Sequence, residues 1–223
     1  LKQIEAEKQR LVKAGTIKQP KPLPPIRPEE VPYELPEGWK WVRLTELAYP
    51  QAGFAFKSRM FNTISNGLPL IRIRDVGQPF TSTYYAGEYR EEFIVSRGDY
   101  LISMDGEFRV ATWKLDTGLL NQRVSRLIFH SNILPRNYTA ICLQEQLKNL
   151  QGVKAYTTVD HLSGEQIAIS LIPLPEQHRI VAKIDQLMAK CDELEALRKA
   201  RDEKRRAVHA AAEARLAAAV AAA

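Results

Sequence analysis

The 223-residue sequence holds only two cysteines, Cys142 and Cys191, with no Cys-x-x-Cys spacing and no histidine pair nearby. That excludes a disulfide framework and a finger-type zinc site, and it fits a reducing cytoplasm. No apolar run approaches the roughly 18 residues of a membrane span, and the first residues lack a secretory pattern, so no membrane partner is expected. Charge of one sign is scarce as well. The 32 Lys and Arg stand against 26 Asp and Glu. The surplus is spread thinly, so a surface for a polyanion has to come from local clusters.

Catalytic strings are also missing. The chain has no Gly-rich cofactor loop, no Asn/Asp-Pro-Pro-Tyr/Phe, no phosphate-cradling GxxxxGK[ST] and no GxSxG. A metal-dependent nuclease needs clustered carboxylates and usually a lysine. The one Asp-x-Lys, Asp202-Glu203-Lys204, sits in a charged helical stretch and reads as a solvated face. His130, His161, His178 and His209 are scattered, and His161 with Glu165 reads as surface chemistry. Ser103-Met104-Asp105-Gly106 reads as a strand ending in an Asp-Gly turn. No enzyme, cofactor or metal is expected.

What is present falls into four segments. Residues 1–16 contain a run of helix formers closed by Gly15, with Leu1, Ile4, Leu11 and Val12 able to share a face that Glu5 and Lys8 interrupt. Such a helix is marginal alone and needs something to pack on. Residues 17–38 carry seven of the 13 prolines and read as a stiff, extended linker.

Residues 39–173 alternate short β-prone runs (WVRL, LPLIRIRDV, EFIV, DYLISM, RVSRLIF) with Gly, Pro and Asn punctuation. One helix is expected over 138–150, with Leu143, Leu147 and Leu150 on its inner face, and a shorter helical piece near 164–166. Residues 174–223 read as one long helix, with Pro175 in its first turn and Glu176 at the positive end of the dipole. Ile180, Ile184, Leu187, Cys191, Leu194 and Leu197 step by fours and threes, near a 3.5 repeat. So narrow a stripe predicts a coiled coil, paired through Ile180, Ile184, Leu187 and Leu194. The fold class expected is α+β, an irregular β-rich domain followed by a long helix.

Four stretches in order carry a family resemblance: PYELPEGWKWVRLTEL, then GFAFKSRMF with GLPLIRIRDV, then GDYLISMDG with LNQRVSRLIF, and finally IPLPEQHRIVAKID. Together, from about residue 30 to 200, they resemble a target-recognition domain and the conserved helical region of type I restriction–modification specificity subunits. The resemblance implies a non-catalytic protein that reads one half of a split site on double-stranded DNA. It also implies partners: methyltransferase subunits, a motor–nuclease restriction subunit, and a second recognition domain in the same chain or in a homodimer mate. The alternative is an autonomous coiled-coil DNA-binding regulator with no enzyme partners.

On that reading two locally basic stretches would meet DNA. In the first, Gly53 starts a loop whose apolar anchors Phe54, Phe56 and Phe61 hold Lys57, Ser58 and Arg59 outward. Beyond it, strand alternation sets Ile71 and Ile73 against Arg72 and Arg74, which form either a DNA-facing or a merely solvated face. In the second, Arg109 is a candidate guanine reader, since a guanidinium grips O6 and N7 together. Asn121 and Gln122 either read adenine or bond at a strand start. Arg123 completes the group. Tyr84 and Tyr85 stay open between core and contact.

Overall fold

The structure, a computed structural model, describes residues 2–15, 23–103, 108–151, 165 and 167–221. The Asp105-Gly106 turn, His161, most of the 164–166 piece and the start of the proline segment lie outside these residues. The chain forms two compact units, Leu1–Gln177 and His178–Ala223.

The first unit is β-rich. Strands β2 (Ala48–Ala52), β7 (Tyr100–Ser103), β8 (Val110–Thr112) and β10 (Val124–Phe129) form an antiparallel sheet in the order β2-β10-β7-β8. A second sheet runs β3-β5-β4-β9-β6, from β3 (Phe61–Asn62), β5 (Tyr84–Tyr85), β4 (Leu68–Ile71), β9 (Thr117–Leu120) and β6 (Ile94–Ser96). Its only parallel pair is β4 with β9, in register Leu70 to Leu119 and Ile71 to Leu120. All four side chains are fully buried, as expected where strands are covered on both faces. Burial of each is worth roughly 1.5–3 kcal/mol. They join Phe56, Tyr85, Phe93, Trp113 and Val124 in one core cluster.

A second cluster gathers Leu44 and Leu47 of the short helix α2 (Leu44–Leu47), Ile102, Leu127 and Ile169, with Leu143 and Leu147 of helix α3 (Arg136–Gln151). Leu143 and Leu147 of the expected inner face are wholly inaccessible, and the side chain of Leu150, the third residue of that face, lies outside those described. Strands β1 (Lys40–Arg43) and β11 (Ala168–Leu171) pair antiparallel, joining the two ends of the domain. Thus the β-prone runs became β1, β4, β6, β7 and β10. Strand β2 escaped notice because Pro50 breaks its pattern. It is an edge strand, paired only with β10, where a missing N–H is tolerated.

Two expectations at the N-terminal end need correction. Helix α1 (Lys2–Lys13) forms and closes at Gly15, with φ +70°. Its inner face runs through Ile4 and Lys8, both buried, so Lys8 belongs to the packed stripe rather than interrupting it. That face meets α2, which is how so short a helix is held. The proline segment from residue 23 is not a free spacer. Arg43, almost wholly buried, donates to the Pro24 and Pro25 carbonyls and pairs with Glu30 at 3.0 Å. This clasps the segment onto β1. The Glu30 carboxyl is held below the usual range, first by the Arg43 hydrogen bond.

Helix α4 (Leu174–Ala221) runs 48 residues without interruption, about 72 Å at 1.5 Å per residue. Its start is fixed locally, by Glu176 and Gln177 N–H groups on the Pro173 carbonyl and the Gln177 amide on Ile172 O. Beyond it, Ile180 and Ile184 are half-buried, whereas Leu187 and Leu194 are exposed, at 50% and 65%.

Candidate nucleic-acid interface

The parallel pairing of β4 with β9 has a direct consequence for the basic residues. Both strands end at the same level, so the chain that leaves β4 at Arg72 emerges beside the chain that leaves β9 at Asn121. Between them lies an open cleft of about 380 Å³, lined by Arg72, Ile73, Arg74, Asn121, Gln122 and Arg123. Residues some 50 apart in sequence thereby form one cationic surface.

The expected strand alternation fails here, with a useful result. Strand β4 stops at Ile71, and residues Ile73–Asp75 form a 3₁₀ turn. Asp75 Oδ2 accepts the Arg72 N–H at 2.8 Å and also takes the Thr81 hydroxyl at 3.1 Å. The turn brings Arg72, Ile73 and Arg74 to the same cleft rather than to opposite faces. Arg74 Nη2 donates to Thr83 Oγ1 at 3.2 Å, which orients the guanidinium while leaving it exposed.

Across the cleft, residues 121–124 form a tight turn closed by Val124 N–H to Asn121 O at 3.2 Å. It is clamped from outside by backbone. Gly53 N–H donates to Val124 O, Phe54 N–H to Leu120 O, and Gln122 N–H to Phe54 O, all near 3.0 Å. The approach is so close that a Cβ on Gly53 would stand 2.0 Å from Asn121 O. Arg123 occupies this turn with φ +64°, a left-handed conformation that costs a non-glycine residue about 1–2 kcal/mol.

The other sequence candidates fall at different depths. Asn121 is only 7% exposed and its Oδ1 is enclosed without a partner among the described residues. Its amide therefore lies at the floor of the cleft, whereas Gln122 beside it is exposed. Lys57, Ser58 and Arg59 are exposed around a separate 3₁₀ turn, Ser58–Met60, and do not line the cleft. Arg109 is exposed and its chain passes Gly77, where a Cβ would meet its Cδ at 3.2 Å. It adjoins the Arg74 turn without lining the cleft.

Of the aromatic anchors, Phe56 is buried against Tyr85 and Phe61 half-buried. Phe54 is 41% exposed, contrary to a core role, because it stacks outward on Phe93. Arg90 lies over both rings, 5.1 Å from Phe54 and 4.8 Å from Phe93. Arg90 also pairs with Glu92 at 3.0 Å; sequence reasoning missed this exposed, ring-held arginine, because Phe54 lies 36 residues away with no local pattern joining them. Arg126, by contrast, bonds Gln51, the Glu92 carbonyl and Asp99 and serves the domain's own frame.

The chain combines a β-rich α+β unit that holds a cationic cleft with a long helix that has an exposed apolar stripe. The comparisons with known proteins give its family: residues 36–201 match the type I restriction modification DNA specificity domain, and the chain belongs to that family. It is 36% identical to the Escherichia coli type I restriction enzyme EcoBI specificity subunit over 163 residues, covering 72% of this chain and 34% of that one. It is 34% identical to the EcoAI specificity subunit, also from Escherichia coli, with coverages of 87% and 36%. The chain thus spans about a third of the length of these relatives. Among solved structures, the HsdS subunit from Thermoanaerobacter tengcongensis shares the fold at a TM-score of 0.56 and 24% identity, over 85% of this chain and 44% of that one. The reading as a free-standing coiled-coil regulator finds no support among these relatives.

Proposed function

We propose that the chain is one DNA-reading half of a type I restriction–modification specificity subunit. It reads half of a bipartite site on double-stranded DNA without catalysis of its own. The observation that carries this reading is the cleft: Arg72, Arg74 and Arg123 converge with Gln122 on exposed turns, in a chain of the specificity family. Arginine and glutamine are the side chains that grip purine edges in pairs of hydrogen bonds. Arg109, which stands outside the cleft, is assigned to phosphate rather than to the guanine edge expected from the sequence. With Lys57, Arg59 and Arg90 it supplies contacts that set register on the duplex.

Helix α4 pairs through Ile180, Ile184, Leu187 and Leu194 with another helix, in the same subunit or in a second copy. That pair sets the distance to the second recognition domain and docks the methyltransferase and restriction subunits. The test is binding of the full subunit to duplexes carrying its target, as a function of salt. The variant Lys57→Ala/Arg59→Ala/Arg109→Ala should weaken all sequences alike and flatten the log–log salt dependence by about 0.9 per lost contact. An unchanged slope would remove these three from the interface, and no sequence preference at all in the wild type would overturn the reading.

A further inference from the structure

Among the described residues with side chains, only Ser65 and Arg123 have positive φ. The turn that holds Arg123 has the sign pattern of a type II turn, with an i to i+3 bond and φ above zero at the third residue. Glycine is the residue that this position favours, because a Cβ there crowds the backbone. The chain supplies glycine freely where it needs such φ values, as at Gly67, Gly77 and Gly98. Here it keeps an arginine instead. The turn is fastened by main-chain bonds to Gly53 and Phe54.

The guanidinium-bearing chain of Arg123 is exposed and lines the cleft opposite Arg72 and Arg74. Backbone held in a sparsely populated region, by surroundings that overdetermine it, clusters at functional sites.

We infer that Arg123 is a specificity-determining residue of this half-site, reading the O6 and N7 edge of one guanine in the major groove. The inference rests on the DNA-reading proposal above and narrows it to one residue and one base. The rigid turn matters to the reading. A guanidinium presented from a fixed backbone loses less freedom on binding than one on a mobile loop, and its planar fork fits the two purine acceptors together. Asn121, enclosed beneath, and Gly53, which no side chain can replace without meeting Asn121 O, act as positioning residues.

The experiment is a pair of measurements on the full subunit in its methyltransferase complex. Arg123→Gly removes the side chain and relieves the backbone, so the melting temperature should stay level or rise. Affinity for the cognate half-site should drop roughly 5- to 150-fold, with discrimination lost at a single base pair of a systematically substituted panel. Arg123→Lys should keep the salt slope but lose the same discrimination, because an ammonium cannot make the paired contact.

A wild-type complex without any sequence preference would sink the parent reading. Intact wild-type preference with Arg123→Gly discriminating as well as the wild type would sink only this one. Equal weakening on every sequence would make Arg123 a phosphate contact and also overturn it. So would a lowered melting temperature, which would make the arginine part of the frame. Should Arg123→Gly fail to fold, Arg123→Asn, which tolerates the left-handed region, decides between the same outcomes.

Discussion

The β-rich unit and the long helix handle apolar surface in opposite ways. In the first, Leu70, Ile71, Leu119 and Leu120 are sealed from solvent on adjoining strands. In the second, Leu187, Met188, Leu194 and Leu197 are each at least half exposed. The domain completes its core with its own residues, whereas the helix carries a stripe suited to a surface from elsewhere. The shape of the cleft is therefore set within the β-rich unit.

The largest expected effect tests how far the domain's self-sufficiency reaches. Arg43 is 3% exposed and Glu30 19%, so Arg43→Met strands a partly buried carboxylate and two proline carbonyls. Breaking such a pair costs about 3–5 kcal/mol, read as a lower urea midpoint with the segment from residue 23 newly open to protease. A midpoint unchanged from wild type would show the clasp to be incidental.

A matched pair of truncations bears on the comparison itself. Leu119→Ala should cost about 2–5 kcal/mol in thermal unfolding. Leu187→Ala, measured where the chain is monomeric, should stay within about 0.5 kcal/mol. It should instead weaken association of the helix with its partner. Equal costs in the monomer would mean that the helix stripe is already covered.

The smallest effect lies in pH. His130 is buried, with its Nε2–H on the Thr45 carbonyl at 3.0 Å. Burial, ahead of the Thr45 bond that opposes it, pushes its pKa below the ordinary value of 6.5. The unfolded chain then binds the proton more readily. Stability present above about pH 6.5 should fall as pH drops toward the lowered folded value, by at most about 1.4 kcal/mol per pH unit. His130→Gln should flatten that decline. A stability curve of identical slope in the variant would assign the acid sensitivity elsewhere, with Glu30 the next group, lost only below its ordinary 4.5.

Long periodic features were legible before any coordinates. The 48-residue helix, α3 and the strands built on LPLI, YLIS and VSRLIF all declared themselves by period and punctuation. The two-residue strands β3 and β5 did not, because they exist only by pairing with one another and with β4. The candidate arginines were visible as types but not as a group. Arg72 and Arg123 meet because β4 and β9 run parallel, and a non-local pairing leaves no trace in either segment. Asn121 and Gln122 looked equivalent, yet one faces the floor and the other solvent, a distinction set by Gly53 pressing on the turn from 68 residues upstream.

That clamp also bears on how such a protein changes over generations. The 121–124 turn is fastened by main-chain atoms of Gly53 and Phe54, bonds that any non-proline side chain at residues 122 and 123 leaves available. Substitutions there change the lining of the cleft while the main-chain fastening stays in place.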